Sequence, residues 1–242
     1  MKLLSARWIK APVFALCLAP VLLTGWRALH DQLGANPIEY VTHATGDWTI
    51  RFLVIGLAIT PLRKLLRWPE LIRFRRMLGL FAFFYGSLHL ATYLWLDKFF
   101  DWPEILKDAG KRPFITAGLL GFVLLVPLAI TSTAGWIRRL GGARWRLLHR
   151  LVYVSAIAGV VHYYWLVKSD IRGPLLYACL AGALLMYRAA TPLVNYFHVR
   201  GAPGVLERGA GPRAIAHPAT GRHSGGCIAA QPEWRYRTVT RD

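Results

Sequence analysis

Acid is scarce in this sequence: 12 Asp and Glu stand against 30 Lys and Arg, a formal net charge of +18 over 242 residues. A basic excess of that size suits nucleic acid as readily as a membrane, so its placement decides. The Lys and Arg cluster in short segments between apolar runs and near the C-terminus. That is the positive-inside pattern of membrane topology, and it leaves no nucleic-acid partner. Cysteine is equally sparse. Cys17, Cys179 and Cys227 lie far apart, and no C-x-x-C or C-x-x-C-H occurs. A covalently attached c-type haem, a zinc knuckle and a disulfide framework therefore have no support. H-E-x-x-H is absent and no apolar segment holds paired carboxylates, which sets aside an intramembrane metalloprotease.

What is abundant is apolar length. Hydrophobic residues make up 55% of the chain and charged residues only 17%, a balance that points to a polytopic helical membrane protein embedded in a lipid bilayer. Six segments reach spanning length, at about 11–29, 48–66, 77–96, 113–132, 147–167 and 174–191, so the expected fold is an all-α membrane bundle of about six transmembrane helices. The segment opening at Ala11 follows Lys2, Arg7 and Lys10 like a signal peptide, but lacks a small-residue cleavage site and reads as an uncleaved first helix.

Orientation follows from the loops. Arg63, Lys64, Arg67, Arg73, Arg75 and Arg76 lie between the second and third segments, and Arg138, Arg139, Arg144, Arg146 and Arg150 between the fourth and fifth. Residues 30–47 contain no Lys or Arg, and 97–112 balance four bases with Asp97, Asp101, Glu104 and Asp108. The expected topology places both termini in the cytoplasm. Residues 1–10 are then a cytoplasmic N-terminus, 11–191 the transmembrane domain, and 192–242 a Gly-, Pro- and Arg-rich tail expected to be disordered.

Ionisable residues within a bilayer are costly and mark function. His89 lies thirteen residues beyond Arg76, at the basic edge of the third segment. His162 lies thirteen beyond His149, at the basic edge of the fifth. Both segments run outward, so His89 and His162 share one depth, roughly 20 Å from the basic boundary. Facing imidazoles on two helices can ligate a b-type haem. They can also bind another metal, for which no third ligand is present at that depth, or hydrogen-bond neighbouring helices. The depth match favours haem.

His149 has Arg75 or Arg76 at its own depth rather than a histidine. Arg75, Arg76, Arg146 and Arg150 around it form either a cationic pocket for a haem propionate, a flavin phosphate or a quinone head, or ordinary positive-inside charge.

These residues resemble a known family. Thr60-Pro61-Leu62-Arg63, Arg75-Arg76-Met77-Leu78-Gly79-Leu80 with Phe83-Phe84-Tyr85 and His89, Lys111-Arg112-Pro113-Phe114-Ile115-Thr116 with Gly118, Thr131-Ser132, Trp145 to Tyr153, and His162-Tyr163-Tyr164-Trp165 are similar to the MsrQ (formerly YedZ) family. This is the haem-containing membrane subunit of the bacterial periplasmic protein-methionine-sulfoxide reductase system, within the ferric-reductase-like transmembrane superfamily. The resemblance covers roughly residues 8–191. It implies a ferric-reductase-like domain in the inner membrane that carries haem b and flavin mononucleotide (FMN). Electrons would come from membrane quinone or a cytoplasmic flavin reductase. They would pass to a periplasmic molybdopterin-containing catalytic subunit that reduces methionine sulfoxide in oxidised proteins. His89, His149 and His162 match the family's haem-associated histidines. The chain itself is then a non-catalytic electron-transfer subunit. Related oxidases add a nucleotide-binding domain, whereas no G-x-G-x-x-G follows the last segment here. The tail is the departure from the family.

The alternative, from another class, is a small transporter or assembly scaffold whose histidines serve protons or helix packing. The outer loops 30–47 and 97–112, with their acidic residues, are the expected docking surface for a partner.

Overall fold

The structure is a computed structural model that describes the backbone of residues 7–200 and the side chains of residues 9–190. The described residues up to Phe197 form one compact unit, and those beyond it are described only to Arg200. The described residues are helical, with no strand among them. In order they form α1 (Arg7–Leu29), α2 (Pro37–Leu65), a 3-10 turn (Pro69–Phe74), α3 (Arg75–Ala91) continuing through a π turn (Thr92–Asp97), α4 (Trp102–Lys111), α5 (Pro113–Ile130), α6 (Ala134–Leu140), α7 (Gly142–Leu148), α8 (Leu151–Leu166) and α9 (Arg172–Arg200).

The six long helices answer to the six apolar segments, with three differences. First, α2 starts eleven residues earlier than its apolar run, because Asn36 caps it by accepting from the Glu39 N–H and Pro37 pre-sets its first turn. Much of the expected loop 30–47 is therefore helix. Second, the run through 147–167 is not one helix. It breaks at His149–Arg150, leaving α8 sixteen residues long. Third, α9 continues to Arg200, past the expected boundary at 191. The rest of the expected tail, with His217, His223 and Cys227, lies outside the described residues.

Four stretches are long and apolar enough to cross a membrane by themselves: Ile9–Leu29, Pro69–Asp97, Pro113–Ile130 and Arg172–Ala190. α2 misses that mark through its charges, Asp47 and Arg51 among them, and α8 through its length. The outward surface is nonetheless apolar. Leu16, Leu22, Leu120, Val123, Leu175, Leu176 and Met186 are each more than half exposed, as a lipid-facing surface requires and a water-facing one does not tolerate.

Inside, α2 packs along α3 and α5 along α8, with α3 meeting α5 and α2 meeting α8. The core lies between α1, α2, α3 and α5, where Phe52, Phe81 and Tyr85 stack around Leu53, Leu78 and Leu125. Two polar side chains mend helix defects there. Beside Pro20, the Tyr85 hydroxyl enters the ladder of α1, accepting from the Val21 N–H at 3.1 Å and donating to the Cys17 carbonyl at 2.9 Å. In α2, Pro61 has no N–H for the Leu57 carbonyl four residues back. Arg188 of α9 donates to that carbonyl at 2.7 Å and to Thr60 Oγ1 at 3.0 Å. In hydrocarbon an unpaired backbone group is costly, and both bonds also hold one helix to another.

Candidate functional site

His89, on the last turn of α3, and His162, on α8, face each other across the bundle with ring centroids 5.9 Å apart and planes at 76°. Each ring is anchored from behind. His89 Nδ1 lies 2.9 Å from the Thr42 carbonyl of α2, and His162 Nδ1 lies 2.6 Å from the Phe114 carbonyl of α5. A carbonyl only accepts, so each Nδ1 carries the proton. Each Nε2 therefore keeps a lone pair. This is the second-shell arrangement that fixes a metal-ligating histidine. Two metal–imidazole bonds of about 2 Å, in line through one ion, place the ring centres roughly 6 Å apart. The observed spacing meets that requirement.

Glycine makes the approach possible. A Cβ on Gly118 would stand 2.8 Å from His162 Nδ1, and one on Gly46 would stand 3.1 Å from His89 Nδ1. Between the four helices runs a cavity of about 340 Å³, lined by both histidines, Gly86, Gly121 and Gly159 together with Leu53, Phe122 and Leu125. A Cβ on Gly159 would touch nothing and project into open space. Below the cavity the buried Ser155 hydroxyl donates to the Gly121 carbonyl at 2.8 Å, tying α8 to α5. An apolar slot between two axial imidazoles is what a b-type haem requires. No group of three or more His, Cys, Asp or Glu that could hold a metal ion occurs among the described residues.

The other expected site residues separate. His149 closes α7, stacks on Trp145 with centroids 3.9 Å apart, and points Nε2 at Thr131 Oγ1, 3.1 Å away. Thr131 spends its proton on the Pro127 carbonyl, so it accepts from His149 Nε2–H. That nitrogen is then no metal ligand in this geometry. Arg75 lies near His149, Tyr153 and Arg188. Arg76, the next residue on the helix and so about 100° around it, instead borders a groove with Lys10 and Arg73 against α1. Arg146 and Arg150 are exposed. The expected four-arginine pocket is thus not assembled, and Arg75 with Arg188 stands in its place. Arg188 donates to Tyr153 at 2.8 Å and has its guanidinium over the Tyr153 ring.

Arg188 and Gly46 went unnoticed in the sequence, and Gly118 stood there only as part of the family pattern, with no role beside His162. Only Pro61 signalled the first, by implying an orphaned carbonyl at Leu57. The acids of the 97–112 loop are mostly structural. Asp101 caps α4 by accepting from the Glu104 N–H, and Lys98 sits between Glu104 at 2.7 Å and Asp108 at 2.9 Å.

Paired, back-anchored imidazoles facing one another in a helical bundle are an arrangement able to hold a haem. Residues 45–160, which contain His89 and His149 and end two residues short of His162, match the family model described as ferric reductase like transmembrane component. The chain is also 56% identical over 182 residues to the protein-methionine-sulfoxide reductase heme-binding subunit MsrQ of Herminiimonas arsenicoxydans, covering 74% of this chain and 84% of that protein. The proteins of the same name from Caulobacter vibrioides and Rhodospirillum rubrum are each 52% identical over 176 residues, covering 73% of this chain and 84% and 85% of theirs. The chain belongs to the MsrQ family of haem-binding subunits.

Proposed function

We propose that this chain is the haem b-carrying electron-transfer subunit of a protein-methionine-sulfoxide reductase system, in which His89 and His162 would hold the haem iron. The observation that carries this is the facing pair with both Nε2 lone pairs free and the rings 5.9 Å apart. When bound, haem supplies a one-electron iron couple. The chain's part is to hold both imidazoles in a fixed tautomer, so that little rearrangement accompanies electron transfer, and to keep bulk water from the slot.

The membrane is the bacterial inner membrane, with both termini cytoplasmic. The arginine-rich ends of α2 and α3 and the segment from α6 to His149 then face the cytoplasm, while α4 and the haem slot face the periplasm. Electrons would enter from membrane quinone or a cytoplasmic flavin reductase and leave to a periplasmic molybdopterin-containing catalytic subunit. Arg75 and His89 are fourteen residues apart, a rise of roughly 21 Å, so a second carrier at the basic end shortens the transfer. FMN belongs there, its phosphate toward Arg75 and Arg188, for which no ion pair with a carboxylate is found among the described residues.

The test is electron delivery in proteoliposomes. A membrane-soluble quinol, or FMN with a flavin reductase, is supplied to one face, and the catalytic subunit with a methionine sulfoxide peptide to the other. Turnover that needs both faces and is lost in His89→Ala supports the role. Turnover that is the same without this chain overturns it.

A further inference from the structure

Resting on the haem-binding role above, we propose that Tyr93 and Arg112 hold the haem carboxylates at the α4 end of the slot and so fix which way round the macrocycle sits. A haem slot between identical ligands has two possible ends, and haem b carries its two carboxylates on one edge only. An anionic edge is stable where cations, donors and water are, and costly in hydrocarbon.

The two ends of this cavity differ. Toward the basic end it is closed by Leu53, Leu125 and Ser155, and the Ser155 hydroxyl is already committed to Gly121. Among the described residues Arg112 is the one Lys or Arg lining the cavity, and it stands at the opposite end. It is a loosely held cation. Its contact with Asp108 is 3.5 Å long, and Asp108 has a closer partner in Lys98 at 2.9 Å. A guanidinium carries five donors in a fork suited to a carboxylate.

Tyr93 supplies the second observation. It lies one turn beyond His89 on the π turn, lines the same cavity, and its hydroxyl is buried with no hydrogen-bond partner among the described residues. Buried phenol hydroxyls are normally paired, so an orphan on a residue that lines the cavity is a donor still lacking its acceptor. Single π turns inside helices recur at functional sites, where the extra residue re-aims a side chain. α5 also begins here, with Phe114 and Ile115 of its first turn lining the slot. Two acids line the same mouth, Asp47 and Asp97, together with His43. Asp47 is 3.5 Å from Arg51, which offsets its charge. Arg112 is thus needed against Asp97 as well as for the haem edge.

The experiment reconstitutes detergent-purified apoprotein with haem b or with its dimethyl ester, whose carboxylates are masked. It measures release to excess apomyoglobin in wild type, Tyr93→Phe and Arg112→Gln. A low-spin, two-histidine spectrum in each variant shows that folding and ligation persist. Release of haem b should be about tenfold faster from each variant, the loss of one hydrogen bond to a charged group. The ester, in which both contacts are weakened, should leave wild type at least as fast as haem b leaves either variant, and the variants should not accelerate it further. Equal release of haem b from wild type and variants, or equal acceleration of haem b and its ester, overturns the carboxylate assignment while the two-histidine spectrum stands. Absence of that spectrum in wild type would overturn the haem-binding role as well.

Discussion

Arg188 on α9 donates a 2.7 Å hydrogen bond to the Leu57 carbonyl on α2, the acceptor that Pro61 leaves without a helical N–H. One residue thereby repairs a proline defect, binds two helices, and carries positive charge into the bundle beside Tyr153 and Arg75.

Arg188→Ala should destabilise the protein by about 1–3 kcal/mol, the cost of an unsatisfied buried acceptor. Pro61→Ala restores the N–H, so the double variant Pro61→Ala/Arg188→Ala should recover part of that loss. Thermal unfolding in detergent of the two single variants and the double one checks this. Additive losses would show that the proline and the arginine are not coupled.

Tyr85 plays the matching part in α1. Tyr85→Phe keeps the ring that stacks on Phe52 but removes the bridge between Val21 N–H and the Cys17 carbonyl. Loss of about 1–3 kcal/mol is expected, with hydrogen exchange faster around residues 17–21 and unchanged in α5 and α8.

Gly118→Ala places a Cβ within 2.8 Å of His162 Nδ1, and His162 cannot give way without losing the Phe114 carbonyl. Haem per chain should fall severalfold. Gly79→Ala, whose Cβ meets nothing within 4 Å, should leave haem content as in wild type. Haem quantified on purified protein separates the two.

The loop before α5 should loosen in acid. The hydrogen bond from Lys98 holds the Asp108 carboxyl below the usual carboxylate range. A depressed carboxyl contributes stability that is full above its unfolded value, about 4, and is lost as pH falls through its lower folded value. Hydrogen exchange over residues 97–112 should rise from pH 4 downward in wild type. In Asp108→Asn it should already be fast at pH 7 and show no such step. Asp97 has no role in this pairing, so Asp97→Asn should leave the protection of residues 97–112 as in wild type.

Much of the architecture was legible. Apolar length marked all six long helices, and counting residues outward from Arg76 and His149 placed His89 opposite His162. The break at His149–Arg150 was not visible, because Leu147 to Val167 reads as one apolar run and the turn is fixed by tertiary partners, the Trp145 ring and the Thr131 hydroxyl. Hydropathy also hid the early start of α2, which depends on Asn36 and Pro37 rather than on apolar residues. Arg75 and Arg76 looked equivalent as neighbours in sequence, yet their different directions from α3 send one to Tyr153 and the other to α1. The glycines behind the histidines carry no sequence signal of their own, since small residues serve any helix contact.

The central claim is that His89 and His162 ligate one haem while His149 does not. Its most direct measurement is the dithionite-reduced minus oxidised absorption spectrum, with haem per chain, of purified wild type and of His89→Ala, His149→Ala and His162→Ala. A low-spin b-type spectrum with about one haem per chain is expected in wild type. It should be lost in the first and third variants and kept in the second. Haem retained in His89→Ala or His162→Ala, or lost in a folded His149→Ala, would contradict the account.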